Sequence, residues 1–347
     1  MYKVAVVIPT LNEEKFIASC LDSVIYQSYP LADMDVMVID GGSLDRTKQI
    51  VKEYQERYSN IRFLNNEGRI QSIAFNIGVK KSDAPYVVRL DAHAHYDKDY
   101  IRNCLEVFTY SSEELGCSPD LIGNVGGVWA IQPQNLSLIA RSSAILNKSR
   151  FGIGGAAFRV GATAGFVDTV PFGCFPRDVL EKVGGMREDL PRGEDNEFNS
   201  RIKKAGYKIY LDPKIVCTYY SRGTLKANMK QMYANGESIG HLFYVDKDSL
   251  SLRHLVPLLF VIGIIGGMIL SLFLLPFVYI LSVSLCLYFI CDFVASLVAA
   301  QKHGWQYLLP LLMMFFLVHI SYGFGTIVGL LTGRKLKKRL CGNEKTI

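Results

Sequence analysis

The chain has 347 residues, half of them apolar and a fifth charged, with a net charge of +6 at neutral pH. Five of the positive charges lie in the short stretch Arg334-Lys335-Leu336-Lys337-Lys338-Arg339, so the remainder is near neutral and no nucleic-acid partner is implied. Eight cysteines with no C-x-x-C pair exclude a zinc ribbon and a disulfide framework and fit a reducing compartment.

The N-terminal apolar run Val4–Ile8 is too short for a signal peptide and predicts a buried strand. Phe16, Ile17, Cys20, Leu21, Val24 and Ile25 then recur on one helical face. Val36–Ile39 predicts a strand, Thr47, Ile50, Val51 and Tyr54 a helix, and Ile61–Leu64 a strand. Ile70, Ile73, Ala74 and Ile77 mark a helix face, and Tyr86–Leu90 another strand. Strand–helix alternation with short connections predicts a parallel sheet covered on both faces. Ligands bind such sheets at the carboxyl ends of the strands, so four clusters are expected on one rim. They are Pro9-Thr10-Leu11-Asn12-Glu13, Asp40-Gly41-Gly42-Ser43, Asn65-Asn66-Glu67-Gly68-Arg69 and Asp91-Ala92-His93.

Residues 121–170 are glycine-rich and weakly periodic. A helix is expected at Pro176–Val183, and a second after Arg192-Gly193-Glu194-Asp195, where Phe198, Ile202 and Ala205 share a face and Gly206 caps the end. A strand follows at Lys208–Leu211. Residues 222–254 mix lysines with Tyr233, Phe243 and Tyr244, the composition of a segment lying on a membrane interface.

From Leu255 the chain turns almost uncharged. Leu255–Ala299 holds one charge, Asp292, and fits two helices broken near Pro276, and Trp305–Leu331 is a third apolar stretch. Each is long enough to cross a hydrocarbon core, which takes about 20 residues. Three crossings would put the basic tail opposite the first domain, against the positive-inside rule. Either one segment is re-entrant or the rule is broken. Asp292 and His319 are polar groups inside apolar spans, and Gly325 and Gly329 have helix-packing spacing. The reading is a first domain at 1–225, an interfacial segment at 226–254, membrane helices at 255–331 and a basic tail at 332–347.

The chemistry rests on the polar clusters. Asp91-Ala92-His93 places a carboxylate and an imidazole two apart in a turn, where they can share a metal. Glu194-Asp195 opens a helix, where acids also serve simply to complement the dipole. Taken in order, Pro9-Thr10-Leu11-Asn12-Glu13, Asp40-Gly41-Gly42-Ser43-Leu44-Asp45-Arg46-Thr47, Asp91-Ala92-His93 and Arg192-Gly193-Glu194-Asp195 resemble the family-2 glycosyltransferases. Phe151–Gly155, Val167–Val170 and the three C-terminal spans resemble the succinoglycan-type exopolysaccharide glucosyltransferases within that family.

The resemblance implies an α/β fold, with a GT-A nucleotide-sugar-binding domain of Rossmann-like type followed by C-terminal transmembrane helices. It also implies an inverting transfer of a hexose, glucose from UDP, to a polyprenyl-diphosphate-linked saccharide. Pro9, Thr10, Glu13 and Asp40 match the nucleoside side, and Gly68 and Arg69 the loop beside the base and diphosphate. Asp91 and His93 match the metal and diphosphate pair, Asp195 the general base, and Glu194 an acceptor contact. A divalent cation, Mn2+ rather than Mg2+, is the implied cofactor, because histidine replaces the second carboxylate. The location implied is the cell inner membrane, multi-pass, with the catalytic domain cytoplasmic.

The sequence departs from the family at Asp40-Gly41-Gly42-Ser43, where one carboxylate is missing. Gln231-Met232-Tyr233-Ala234-Asn235 stands where processive synthases carry Q-x-x-R-W, which favours a single addition. Two other readings are a sugar nucleotidyltransferase, which would carry a basic glycine-rich loop at residues 9–13, and a non-catalytic membrane scaffold. Gly152–Gly155 and Gly161–Gly165 read as an acceptor-side loop, not a dinucleotide fingerprint, and His95 as an ordinary exposed residue.

Overall fold

In the computed structural model, the backbone is described for residues 3–343 and side chains as far as Arg334, so most of the basic tail called at 332–347 lies outside the described residues. The chain divides into two compact units, one of residues 1–130 and 157–219, the other of 131–156 and 220–347.

The elements of the first half run β1 (Val4–Thr10), α1 (Ile17–Ile25), β2 (Met34–Asp40), α2 (Thr47–Gln55), β3 (Ile61–Asn65), α3 (Gln71–Lys81) and β4 (Tyr86–Arg89). There follow β5 (Ala94–Tyr96), α4 (Tyr100–Val107), α5 (Ser112–Leu115), β6 (Ile122–Pro133), α6 (Leu138–Asn147), α7 (Arg150–Ile153) and α8 (Ala157–Val160). Then come β7 (Gly165–Phe166), β8 (Cys174–Pro176), α9 (Arg177–Val183), α10 (Glu194–Lys204) and β9 (Lys208–Ser221). The chain continues as α11 (Leu225–Val245), α12 (Leu252–Ser271), α13 (Leu275–His303) and α14 (Leu308–Asn343).

The strand order is β3-β2-β1-β4-β8-β6-β9-β5, with β7 on β9. β1 to β4, the strands expected in the first 100 residues, pair in parallel as the strand–helix alternation predicts. β8 runs antiparallel to β4 and to β6, and β5 and β7 antiparallel to β9, so the later strands make the sheet as a whole a mixed one. Every residue of β1 and β2 is buried, which is why both read as continuous apolar runs rather than alternating ones. Register aligns the ends that matter: Thr10 sits opposite Asp40, and Asp40 opposite Asn65. Three of the four polar clusters therefore leave the sheet side by side, and Asp91 follows the end of β4 directly.

The glycine-rich middle contains a strand that periodicity missed, the 12-residue β6. Its Gly126 and Gly127 lie so close to Val170 and to the Ile215 carbonyl that a Cβ would collide. Those glycines mark a tight backbone approach inside a sheet, a recognised use of strand glycine.

In the second unit, α12, α13 and the helical stretch Trp305–Arg334 are long and apolar enough to cross a membrane, with mean hydropathies of 2.2, 2.2 and 1.9. Pro276 stands in the first turn of α13, where a proline is tolerated because its missing N–H would be unpaired anyway. The glycine pair Gly325 and Gly329 does pack helices: a Cβ on either would strike the backbone of α11 at Tyr233 and Glu237.

Candidate active site

The loops after β1 and β2 are zipped together by their own hydrogen bonds. Asn12, with φ of 56°, accepts from the Leu44 N–H at 2.8 Å, while its own N–H donates to Ser43 Oγ at 2.7 Å. Asn is among the few residues that adopt this left-handed conformation readily. The Glu13 N–H donates to Thr47 Oγ1 at 2.8 Å.

Asp40 is buried and is spent on the same loop. It accepts from the N–H groups of Gly42 and Ser43 at 2.9 and 2.8 Å, from Ser43 Oγ at 2.5 Å and from Thr10 Oγ1 at 3.3 Å. Four donors leave little of a carboxylate's accepting capacity unused. Gly42, at φ of 83°, closes the turn. Above it sits Arg69, itself at φ of 62°, with Nη2 3.8 Å from where a Gly42 Cβ would stand. Gly68 donates to Asn66 Oδ1 at 3.1 Å, and any side chain there would collide with Ile73. Pro9 is buried at the end of β1, opposite Ile39.

The fourth loop is fixed by Tyr96, whose hydroxyl accepts from the Asp91 N–H at 2.7 Å and donates to the Asp91 carbonyl at 3.1 Å. His93 reaches the first loop: its Nδ1 is 3.1 Å from Glu13 Oε1.

The residue that joins the two acidic motifs is Arg89, which sequence reading passed over. Its Nη2 donates to Asp91 Oδ1 at 3.3 Å and to Gln71 Oε1 at 2.9 Å, and its Nη1 donates to Glu194 Oε1 at 3.2 Å. Both Arg89 and Glu194 are only 6 % exposed. Burial by itself would pull the Arg89 pKa down, but the carboxylates of Asp91, Glu194 and Asp195 outweigh it and keep the guanidinium charged. Burial pushes Glu194 up to about 7 from an ordinary 4.5, with Arg89 pulling it back down and Asp195 adding to the rise. The signal was available: an arginine inside Val87-Val88-Arg89-Leu90 has no solvent to reach and must find buried anions.

The acidic pair is held in place by α10. Gly193, at φ of 82°, precedes the helix, so Glu194 and Asp195 occupy its first turn, where the dipole favours negative charge. The helix is pinned by a buried relay, in which Asn124 Nδ2 donates to Asn199 Oδ1 at 2.8 Å and Asn199 Nδ2 to Thr169 Oγ1 at 2.9 Å. Phe198 packs edge-on against Phe75, with ring centroids 6.2 Å apart. Asp195 is exposed and accepts only the neighbouring Asn196 N–H among the described hydrogen bonds, at 2.8 Å. The result is one carboxylate buried against Arg89 beside one facing outward, on the same side of the sheet unit as Asp91. Among the described residues, no three His, Cys, Asp or Glu side chains converge into a ready metal cage.

Residues 5–162 match the family described as Glycosyl transferase family 2. A Methanococcus voltae protein, named a dolichyl N-acetyl-alpha-D-glucosaminyl phosphate 3-beta-D-2,3-diacetamido-2,3-dideoxy-beta-D-glucuronosyltransferase, is 30 % identical over 96 % of this chain and 99 % of its own. The succinoglycan biosynthesis protein ExoA of Rhizobium meliloti is 30 % identical over 73 % of this chain and 74 % of its own. Among solved structures, the mannosyltransferase PcManGT from Pyrobaculum calidifontis, in complex with GDP-Man and Mn2+, superposes with a TM-score of 0.62. It covers 96 % of this chain and 87 % of its own at 18 % identity, a likeness of fold alone.

Proposed function

The chain belongs to glycosyltransferase family 2, and from that premise we propose that it adds a single hexose, glucose from UDP-glucose, to a lipid-linked saccharide, with inversion at the anomeric carbon. The acceptor hydroxyl oxygen forms a bond to the anomeric carbon as the bond from that carbon to the diphosphate oxygen breaks. The hydroxyl proton passes to Asp195, and the nucleoside diphosphate leaves.

The observation that carries this reading is Arg89, whose one guanidinium holds both Asp91 and Glu194. That bridge brings the strand-end carboxylate next to the acidic pair, which supports a displacement with a leaving group on one side and a base on the other. Asp195 is the exposed member of the pair and takes the base role. Glu194, buried against Arg89, acts as a positioning residue behind it. Asp40 shapes the nucleoside loop through the turn it holds, with Thr10 beneath it, while Pro9 and Glu13 line the nucleoside side. Gly68 lets the next loop approach closely, and Arg69 offers its charge to the diphosphate.

A divalent cation, when bound, would offset the charge developing on the departing diphosphate. Asp91 and His93 are the residues that would hold it. The Glu13 carboxylate at His93 Nδ1 is the kind of outer contact that orients an imidazole so that Nε2 ligates. An imidazole–carboxylate set suits Mn2+ better than Mg2+, and diphosphate oxygens with water would complete the coordination.

The lipid-linked acceptor is supported by the apolar helices, which would keep enzyme and acceptor in one membrane, and by the dolichyl-linked substrate in the name of the Methanococcus relative. Nucleotide sugars are cytoplasmic compounds, so the catalytic domain is placed on the cytoplasmic face of the cell membrane.

Thermal unfolding of the purified full chain against nucleotide sugars tests donor and metal together. UDP-glucose with Mn2+ is expected to stabilise by about 2–3 kcal/mol at a hundredfold excess over Kd, with most of the Mn2+ increment lost in His93→Ala. Equal stabilisation with and without metal would refute the metal assignment, and silence from every nucleotide sugar would refute the donor class.

A further inference from the structure

The three apolar helices are not equivalent in what covers them. In the most apolar 18-residue windows of α12 and α13, only 11 % and 6 % of residues are buried within the protein; for the third helix the figure is 44 %. Leu259, Leu272, Phe273, Leu275 and Val298 are all at least 60 % exposed. An uncovered apolar surface of that length needs hydrocarbon around it.

The cover on α14 comes partly from the base of the α12–α13 hairpin, where a Cβ on Gly323 would strike the Pro257 carbonyl and Phe316 packs on Phe289, and otherwise from the charge-bearing helices α6, α7 and α11. Its first half packs on α6, α7 and α11: Leu311, Met314, Phe315 and Val318 form a core with Leu146 of α6 and Met232 of α11, and His319 Nε2 lies 2.8 Å from the Phe151 carbonyl of α7. Its second half lies backbone to backbone on α11, where Gly236 and Gly240 meet Tyr322, Thr326 and Leu330, and Gly325 and Gly329 meet Tyr233 and Glu237. His241 Nε2 is 2.9 Å from Thr332 Oγ1. α11 carries Lys226, Lys230, Glu237 and His241, and charges of that kind cost about 2.5–3.5 kcal/mol each at a bilayer centre. A helix locked to α11 over three turns stays at the depth of α11.

The end of α13 supports the same division. With 29 residues, it is about 43 Å long at 1.5 Å per residue, against a hydrocarbon core of about 30 Å. The surplus falls at its C-terminal end, where Ser296 is fully buried and Lys302 and His303 follow, and Asp292, one turn before Ser296, is fully buried too. Two turns before Ser296, Tyr288 Oη lies 2.8 Å from His319 Nδ1 of α14. The hairpin is also polarised in charge: Arg253 and His254 open α12, Lys302 and His303 close α13, and the turn Leu272-Phe273-Leu274 carries none.

We propose that α12 and α13 alone cross the membrane, as a two-helix hairpin, and that α14 lies along the bilayer face on the side of α6, α7 and α11. Arg334 then sits at anionic headgroups on that side, and the positive-inside rule is obeyed by the hairpin base and by the basic stretch alike. Because no helix of membrane-spanning length separates α6 or α11 from the sheet unit in the chain, the catalytic residues share that side.

Cysteines added one at a time at three exposed positions of the full chain, in sealed membrane vesicles treated with a membrane-impermeant maleimide, test the topology, each read as labelling above that of the unchanged chain with its eight native cysteines. Leu136→Cys and Leu331→Cys are expected to label from the same side, and Phe273→Cys from the other. A C-terminal epitope tag on the otherwise unchanged chain covers the case of an unreactive or misfolded variant: protease on the side that digests the sheet unit should also remove the tag. Labelling of Leu331→Cys together with Phe273→Cys, or a tag protected while the sheet unit is cut, would establish a third crossing and overturn the proposal.

Discussion

Replacing Asp195 by asparagine is expected to lower the transfer rate by about 10²–10⁴-fold, the usual worth of a positioned general base. Donor affinity should stay within a few-fold of the wild type. The reason is local. Asp195 is exposed in the first turn of α10, while its neighbour Glu194 is turned inward onto Arg89. The Asn196 N–H bond to Asp195 Oδ1 can be kept by the amide oxygen of asparagine, so the loop is undisturbed and only the proton acceptor is lost. Steady-state rates with UDP-glucose and a membrane acceptor, beside donor titration of the same preparation, separate the two effects. A variant that keeps more than about a third of its rate would remove Asp195 from the base role.

The second large effect is structural. Arg89→Met removes the one guanidinium between Asp91 and Glu194 and leaves two poorly solvated carboxylates without it. Breaking a buried ion pair from one side costs about 3–5 kcal/mol, and stability measured by denaturant or by proteolysis should fall by that order. The double variant Arg89→Met with Glu194→Gln should recover part of the loss, since one stranded charge is gone, and the coupling is expected at about 1–3 kcal/mol. If Arg89→Met unfolds within about 1 kcal/mol of the wild type, the bridge is not what binds β4 to α10.

Much of the catalytic unit was readable in advance because its parallel strands are buried on both faces. Val4–Ile8 and Val36–Ile39 could scarcely be anything but interior strands, and the polar residues that end them had to collect at one rim. Loop motifs in chain order then supplied the family. Three features were hidden for physical reasons. β6 lacks strand periodicity because Gly123, Gly126 and Gly127 are placed to admit neighbouring chain, not to present side chains. Arg89 was lost inside an apolar run, where its partners are 2 and 105 residues away. The pairing of residues 131–156 with 220–347 depends on contacts such as His319 with Phe151, which no local pattern encodes. On α14 the spacing of Gly325 and Gly329 was visible, but the matching pair Gly236 and Gly240 on α11 was not read, and with it went the information about which helix those glycines face.

A single displacement, with base and leaving group on opposite sides of the anomeric carbon, must invert the configuration of that carbon, with no covalent sugar–enzyme intermediate. Proton NMR of the glycolipid made by the full chain from UDP-α-glucose measures this outcome. A β-linked glucose on the lipid-linked acceptor is the predicted product; an α-linked product, or glucose trapped covalently on the protein, would contradict the account.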